Sequence, residues 1–300
     1  MLGIIALTQL MAYVRGEWYT IVTMPLTYWV WSVNIYHDAT HFALSWNWKI
    51  NNLMTNIGFM FCTPYIWYHQ HVIGHHIFPN IEGKDPDLYH APRFIRHSKD
   101  LKLKKPHTYQ TISFILTWLI GVPAGLVILG VKQAFTRPNF NRTVTFGNNK
   151  HLNKDSLKAR LAFYLFVIHI IPFILHGLTM KGLLFSIIPI YLFSVCFMVC
   201  SQINHLTPHT TEQFSSNFFI HQVLTAHDVA ADNYLVYLFT GGLNLQIEHH
   251  LFPSVNHCHL RKLQPYVIQI CKKYGVKYSE SPTLWGALCQ HVEHLRKFSF

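Results

Sequence analysis

Long uncharged apolar runs alternate with polar, basic stretches along this chain, and the residues that interrupt the runs predict its elements. Residues 1 to 14 are apolar and uncharged but fall short of a full span, and they lack the basic start and small-residue cleavage site of a signal peptide. They read as the remnant of a first transmembrane helix, which would make the chain N-terminally truncated. After Arg15 and Glu17, residues 18 to 36 form an uncharged run of spanning length with Trp and Tyr near its ends, as membrane interfaces prefer. Residues 50 to 68 are uncharged as well, but Asn51, Asn52, Asn56 and Pro64 predict an interfacial or re-entrant segment, which keeps the sequences flanking it on one side.

Residues 77 to 110 are polar, with turn signals at Phe78-Pro79-Asn80 and Asp85-Pro86-Asp87. Residues 111 to 131 carry no charge, yet Gly121-Val122-Pro123-Ala124-Gly125 interrupts them. Both flanks are strongly basic, and a single crossing would put one on the wrong face, so an in-plane or re-entrant helix pair is expected. Residues 161 to 179 and 183 to 203 predict two spans joined as a hairpin, returning the chain just before Asn204 and His205. A mixed stretch then leads through Gly241-Gly242 to an amphipathic basic tail, expected to pack under the preceding elements. No internal repeat interrupts this plan, and residues 1 to 300 read as a single domain.

Composition agrees with a membrane protein: 50% of the residues are hydrophobic and only 12% are charged. The formal net charge is +11, and nearly all Lys and Arg fall in residues 84 to 105, 132 to 160 and 261 to 297. Such clustering suits the cytoplasmic face of a bilayer with its anionic headgroups. Nucleic-acid binding carries little weight as a reading, because basic patches for it are not interleaved with long apolar runs. The six cysteines form no C-x-x-C pair and read as reduced packing residues.

The 22 histidines change the picture. Three groups stand out: His37-Asp38-Ala39-Thr40-His41, then His71 with His75-His76, then Gln246-Ile247-Glu248-His249-His250. Neutral imidazole is a good ligand for iron, zinc or copper, and histidines four apart on a helix share one face, about 6 Å apart along its axis. A single H-x-x-x-H arises readily by chance in so histidine-rich a chain. Three groups that each abut an apolar segment are a functional feature, since polar groups at membrane depth are costly. Closure of the three groups on one metal site is the expectation, with Asp38 and Glu248 as acceptors that fix the imidazole tautomers.

These three groups resemble the histidine boxes of the membrane fatty acid desaturase family. The glutamine that opens the third is similar to that of front-end desaturases, which act between an existing double bond and the carboxyl end, and of related sphingolipid desaturases. The similarity runs from about residue 30 to 275 and includes Gly241-Gly242-Leu243-Asn244 and Leu251-Phe252-Pro253. It implies an all-α integral membrane protein of the endoplasmic reticulum, with few transmembrane helices plus interfacial helices carrying a cytoplasmic-side metal centre. The centre implied is non-haem di-iron, using O2 and two electrons to remove two hydrogens from adjacent carbons of a fatty acyl lipid or acyl-CoA. By position, His37, His41, His71, His75, His76, His249 and His250 would be iron ligands, with His205 as the family's isolated extra histidine. Gln246 would ligate weakly or through water.

Two departures accompany the resemblance. The middle box is usually H-x-x-H-H, whereas here it is H-x-x-x-H-H, a spacing more like that of membrane alkane hydroxylases. No His-Pro-Gly-Gly haem motif of a fused cytochrome b5 is present in the sequence, so an external donor such as cytochrome b5 with its reductase, or a ferredoxin, is implied, unless that domain lay upstream. A di-iron membrane hydroxylase is therefore the rival enzyme, and a histidine-based metal-binding receptor or transporter the rival outside enzymes. His69, His90, His97 and His107 are expected at solvent or headgroups, His169 and His176 in hydrogen-bonded packing, and His257 and His259 either beside the ligands or apart from them. Trp29 and Trp31 read as lipid-facing or interfacial, and Lys99 to Lys105 as a headgroup-facing surface.

Overall fold

The computed structural model describes residues 2–57, 64–89, 91, 93–124, 139–140, 144–145 and 154–300. Helix α1, Leu2–Arg15, packs along α2, Thr20–Trp31. The second helix does not stop at Trp31: a π-helical turn, Ser32–Tyr36, and a final α-turn, His37–Thr40, carry it on, so that helical backbone runs from Thr20 to Thr40. At the rise of an α-helix that is about 30 Å, the depth of a bilayer's hydrocarbon core. Trp29 lies on its inner side rather than toward lipid: the indole is 2% exposed and donates its Nε1–H to the Phe239 carbonyl at 2.9 Å. A buried indole needs such a partner, and the packed rings of Phe193 and Phe197 complete its surroundings.

Helix α3 is Trp48–Ile57, and α4, Pro64–Trp67, passes directly into a π-helix, Tyr68–His75. Helix α5, Gln110–Ala124, runs on through Gly121 and Val122, where the sequence predicts a break. The reason lies in its neighbour: Ser194 Oγ accepts from the Val122 amide at 3.0 Å and donates to the Trp118 carbonyl at 2.6 Å, bridging that turn. Gly121 adds to this by leaving room for Met198, whose Sδ would sit 2.9 Å from a Cβ there. The second half of the expected helix pair, 125 to 131, lies outside the described residues.

The expected hairpin forms. Helix α6, Lys154–Leu165, continues through a π-turn, Phe166–Ile170, to Ile171–His176, and the chain reverses at Gly177 with φ +72°. Helix α7, Met180–Gln202, opens ahead of the predicted residue 183 because the Thr179 hydroxyl caps it by accepting from the Gly182 amide. Among the described residues α7 is the one uninterrupted α-helix long and apolar enough to cross a membrane. It packs against both α2 and α5. His169 Nδ1 lies 3.1 Å from Ser186 Oγ across the hairpin, the packing role expected of it.

Beyond α7 the elements are short: α8, Phe218–Thr225; α9, Tyr234–Thr240; α10, Gln246–Leu251; α11, Leu260–Tyr274; and α12, Leu284–Lys297. Asn217, Asn233 and Thr283 cap α8, α9 and α12 with their side chains. A two-residue parallel pairing, Asp228–Val229 with Glu280–Ser281, ties the tail back to the body. The apolar stripe of α11, Val267 and Cys271, packs on Ile247 of α10 and Val223 of α8. Helix α12 packs Ala287 and Leu295 on Phe114 and Trp118 of α5. Its His291 and His294 donate Nδ1–H to the carbonyls of Leu206 and Thr207, each at 3.0 Å. His97 and His107 are buried rather than solvated. His97 Nε2 faces Glu82 Oε2 at 2.8 Å and His107 Nδ1 accepts from the Lys104 amide at 3.0 Å, so both close the polar 77 to 110 segment on itself. His90 lies outside the described residues.

Candidate metal centre

The first two histidine groups and His205 stand at the ends of helices that begin in apolar segments. His37 and His41 end the extended α2, His71, His75 and His76 end α4, and His205 follows α7 directly. Gln246, His249 and His250 belong to α10, which Asp228 Oδ1 fastens by accepting from the Ile247 amide at 3.0 Å. All these side chains are buried, and they meet in one cluster. His37, His41, His71 and His249 each offer a ring nitrogen, all within 4.8 Å of one another, and so do His75, His205 and His250. His76 joins the two sets: its Nε2 is 3.1 Å from that of His249, and its ring stacks on His250 at 4.3 Å. The amide of Gln246 lies 2.9 Å from His205 Nε2. Every sequence-predicted site residue is thus part of the cluster.

The middle group's extra residue is absorbed by the π-helix over Tyr68–His75. Hydrogen bonds that reach five residues back instead of four admit one more residue per turn, so His71, His75 and His76 share a face despite the longer spacing. Gly74 permits this register, since a Cβ there would lie 2.5 Å from Pro86 Cγ.

The electrostatics favour a cation in the cluster. Burial first, and then the neighbouring imidazoles, hold His41, His76, His205, His249 and His250 well below the ordinary histidine range, so they are neutral. His75 is the exception. Burial lowers it, but the Asp85 and Asp87 carboxylates outweigh burial and raise it to about 9. His37 Nε2 faces His71 Nε2 at 3.2 Å, and His41 Nε2 and His250 Nε2 are buried with no hydrogen-bond partner. An orphaned buried polar atom costs about 1–3 kcal/mol. A metal ion accepting these lone pairs removes the cost, and an all-nitrogen donor set suits iron, zinc or copper. The residues therefore fit a metal centre.

A family model for fatty acid desaturases matches residues 16–282. The chain belongs to the fatty acid desaturase family. Among individual relatives, it is 27% identical over 288 residues to a probable Delta(5) fatty acid desaturase C of Dictyostelium discoideum, covering 89% of this chain and 60% of that one. It is 28% identical over 308 aligned residues to an acyl-lipid (8-3)-desaturase of Physcomitrium patens, covering 95% of this chain and 62% of the relative. It is also 28% identical over 280 residues to an sn-1 linoleoyl-lipid 6-desaturase of Arthrospira platensis, covering 89% and 73% respectively. The chain thus spans about 60% of the length of the first two relatives. No solved structure matches it.

The acceptors that orient the imidazoles are not those expected from the sequence. Asp38 Oδ2 accepts instead from His257 Nδ1 at 2.8 Å and from Asn256 at 2.7 Å, and its Oδ1 lies 4.0 Å from His37 Nδ1. Glu248 turns away to Asp228 and Tyr278. Burial, and then the Asp228 carboxyl, raise it far above the glutamate range, so the pair shares a proton. The orienting groups are Asp85 on His75, the Thr225 carbonyl on His205 and Gln222 Oε1 on His250, at 3.1, 3.0 and 2.9 Å. The sequence shows Asp85 as a turn residue only; its place ten residues after His75 was the signal available. Gln222 and Thr225 lie on a helix with no chemical motif. His257 stands beside the first group through Asp38, whereas His259 is exposed.

Proposed function

We propose that this chain carries the catalytic core of an O2-dependent acyl desaturase of front-end type, in one domain embedded in a membrane. The observation that carries the reading is the meeting of three distant histidine groups as two buried sets of ring nitrogens, each set within 4.8 Å of one another. Two iron ions held by His37, His41, His71, His75, His76, His205, His249 and His250, with Gln246 beside them, would supply the oxidising power that no side chain has. The overall reaction converts CH2–CH2 to CH=CH. O2 takes two electrons from the acyl chain and two from an external donor and leaves, with two further protons, as two waters.

The protein's own part is orientation and exclusion of water. Asp85, Gln222 and the Thr225 carbonyl each take an Nδ1–H, which fixes the tautomer and turns Nε2 of His75, His250 and His205 inward. Trp67 stacks on His71 at 4.4 Å and anchors its indole to Thr40 Oγ1, covering one side of the cluster. An apolar cavity of about 230 Å³ lies beyond Asn204, whose Nδ2 is 3.4 Å from Gln246 Oε1. Val199, Cys200, Val236 and Phe239 line it with Asn204 and Asn244. A segment of an alkyl chain suits such a lining.

The relatives' printed names, which include acyl-lipid substrates, support a fatty acyl lipid over a soluble substrate. The apolar hairpin α6–α7 and the long α2 support insertion in a membrane, and the basic 84 to 105 stretch supports a cytoplasmic-facing site; the endoplasmic reticulum as its membrane and cytochrome b5 with its reductase as its electron donor follow from the family resemblance. The π-helical register of the middle group accommodates the longer H-x-x-x-H-H spacing within a desaturase reading. Expression in a desaturase-deficient yeast fed candidate fatty acids, with double bonds located by mass spectrometry, tests the assignment. New double bonds on the carboxyl side of existing ones are expected; alcohols in their place, or zinc in the purified protein, would overturn it.

A further inference from the structure

Asn80 belongs to none of the histidine groups, yet it touches the supports of two of them. It is 3% exposed, and its backbone is left-handed, φ +61°, a conformation that asparagine tolerates better than most residues. The Asn80 amide donates to Asp85 Oδ2 at 2.8 Å, and Asp85 is the acceptor that holds His75 Nδ1. The side-chain Nδ2 donates twice, to the His205 carbonyl at 2.8 Å and to the Thr225 carbonyl at 3.1 Å. Thr225 O is in turn the acceptor of His205 Nδ1. The rings of His75 and His205 that depend on these contacts lie 4.6 Å apart, although they come from α4 and from the end of α7.

We infer that Asn80 is a positioning residue for the three-histidine half of the metal centre, fastening the supports of His75 and His205 to each other through one side chain and its own backbone. The inference rests on the metal reading proposed above. Its chemistry is specific to a primary amide in a left-handed position. Two N–H donors on one nitrogen meet two carbonyls, while the backbone turn delivers a third donor to a carboxylate. Neither carbonyl carries sequence information, since any residue would supply it, so the demand falls on Asn80 alone. Asn80 makes no hydrogen bond to the other set, His37, His41, His71 and His249, among the described residues, and the two halves should respond differently to its loss.

The test uses the full chain in detergent, stripped of metal and titrated anaerobically with cobalt(II), whose visible absorption reports its coordination. Asn80→Gly keeps the left-handed backbone and the amide to Asp85 and removes only the two side-chain bonds. Asn80→Asp keeps the shape and turns oxygen lone pairs toward both carbonyls. In both variants one cobalt is expected to bind as in the unaltered chain and the other roughly 10–100-fold more weakly, with an altered absorption band. Equal weakening of both cobalt ions, in step with a lowered melting temperature, would reveal a merely structural residue and overturn the inference, as would two undisturbed sites. If the unaltered chain takes up no cobalt, the metal reading itself fails and the inference with it.

Discussion

His75 Nδ1 lies 3.1 Å from both carboxylate oxygens of Asp85, which also accept the amides of Asn80 and Asp87. One carboxylate thus joins the middle histidine group to the turn that follows it. In Asp85→Asn the amide must place a donor near the His75 Nδ1 proton and against the amide of either Asn80 or Asp87. Metal affinity is expected to fall roughly 10–100-fold, as for other partners of ligating histidines. Metal content after dialysis against a graded chelator series measures it, and retention equal to the unaltered chain would remove Asp85 from the orienting set.

His249 shows what the ligand assignment itself demands. Its Nε2 faces that of His76 at 3.1 Å, and its ring lies 4.7 Å from His37, so it touches two groups at once. His249→Ala, and likewise His75→Ala, is expected to abolish new double bonds in the yeast assay while the chain still accumulates in the membrane fraction. Full activity in either variant would count decisively against the metal centre.

The residues that do the chemistry were legible because metal ligation restricts residue type and spacing, as at His37/His41 and His75/His76. The supports were not, because Gln222, Asn80 and the carbonyl of Thr225 act through position in the fold, which no local pattern encodes. Packing was misjudged for a related reason. Trp29 has the composition of a lipid-facing residue, and only the arrival of Phe239 from 210 residues away gives its indole a buried partner. At Gly121-Val122-Pro123, local propensity predicts a break, and the Ser194 hydroxyl of another helix overrides it.

Acid should loosen the attachment of α12. Burial lowers His291 to about 4 and His294 to about 3, the latter further depressed by the charge of His291 and Lys297. These folded values lie below the unfolded value near 6.5, so the unfolded chain takes up protons first as the pH drops. Stability is therefore full above pH 6.5 and is lost as the pH falls toward 4, by about 1.4 kcal/mol per pH unit for each imidazole. Melting temperatures between pH 7 and 4.5 check this. His294→Gln, which retains an N–H for the Thr207 carbonyl, should flatten the slope, and an unchanged slope would place the acid sensitivity elsewhere.

Gly241 sets the distance between the first and third histidine groups. It caps α9 at φ +59°, and a Cβ there would lie 2.6 Å from both the carbonyl carbon and oxygen of Val33, on the helix that ends in His37 and His41. Gly241→Ala must therefore bear the left-handed strain of about 1–2 kcal/mol and also push the 241 to 246 segment off α2. Gly275, at φ +66°, has nothing within 4 Å of its would-be Cβ, so Gly275→Ala suffers the strain without the displacement. Both variants should melt lower than the unaltered chain. Only Gly241→Ala should also lose metal, because only there does the backbone that carries His249 and His250 move relative to His37. Measuring metal content and melting temperature on the pair separates strain from displacement, and equal metal retention in the two would show that this contact does not govern the centre.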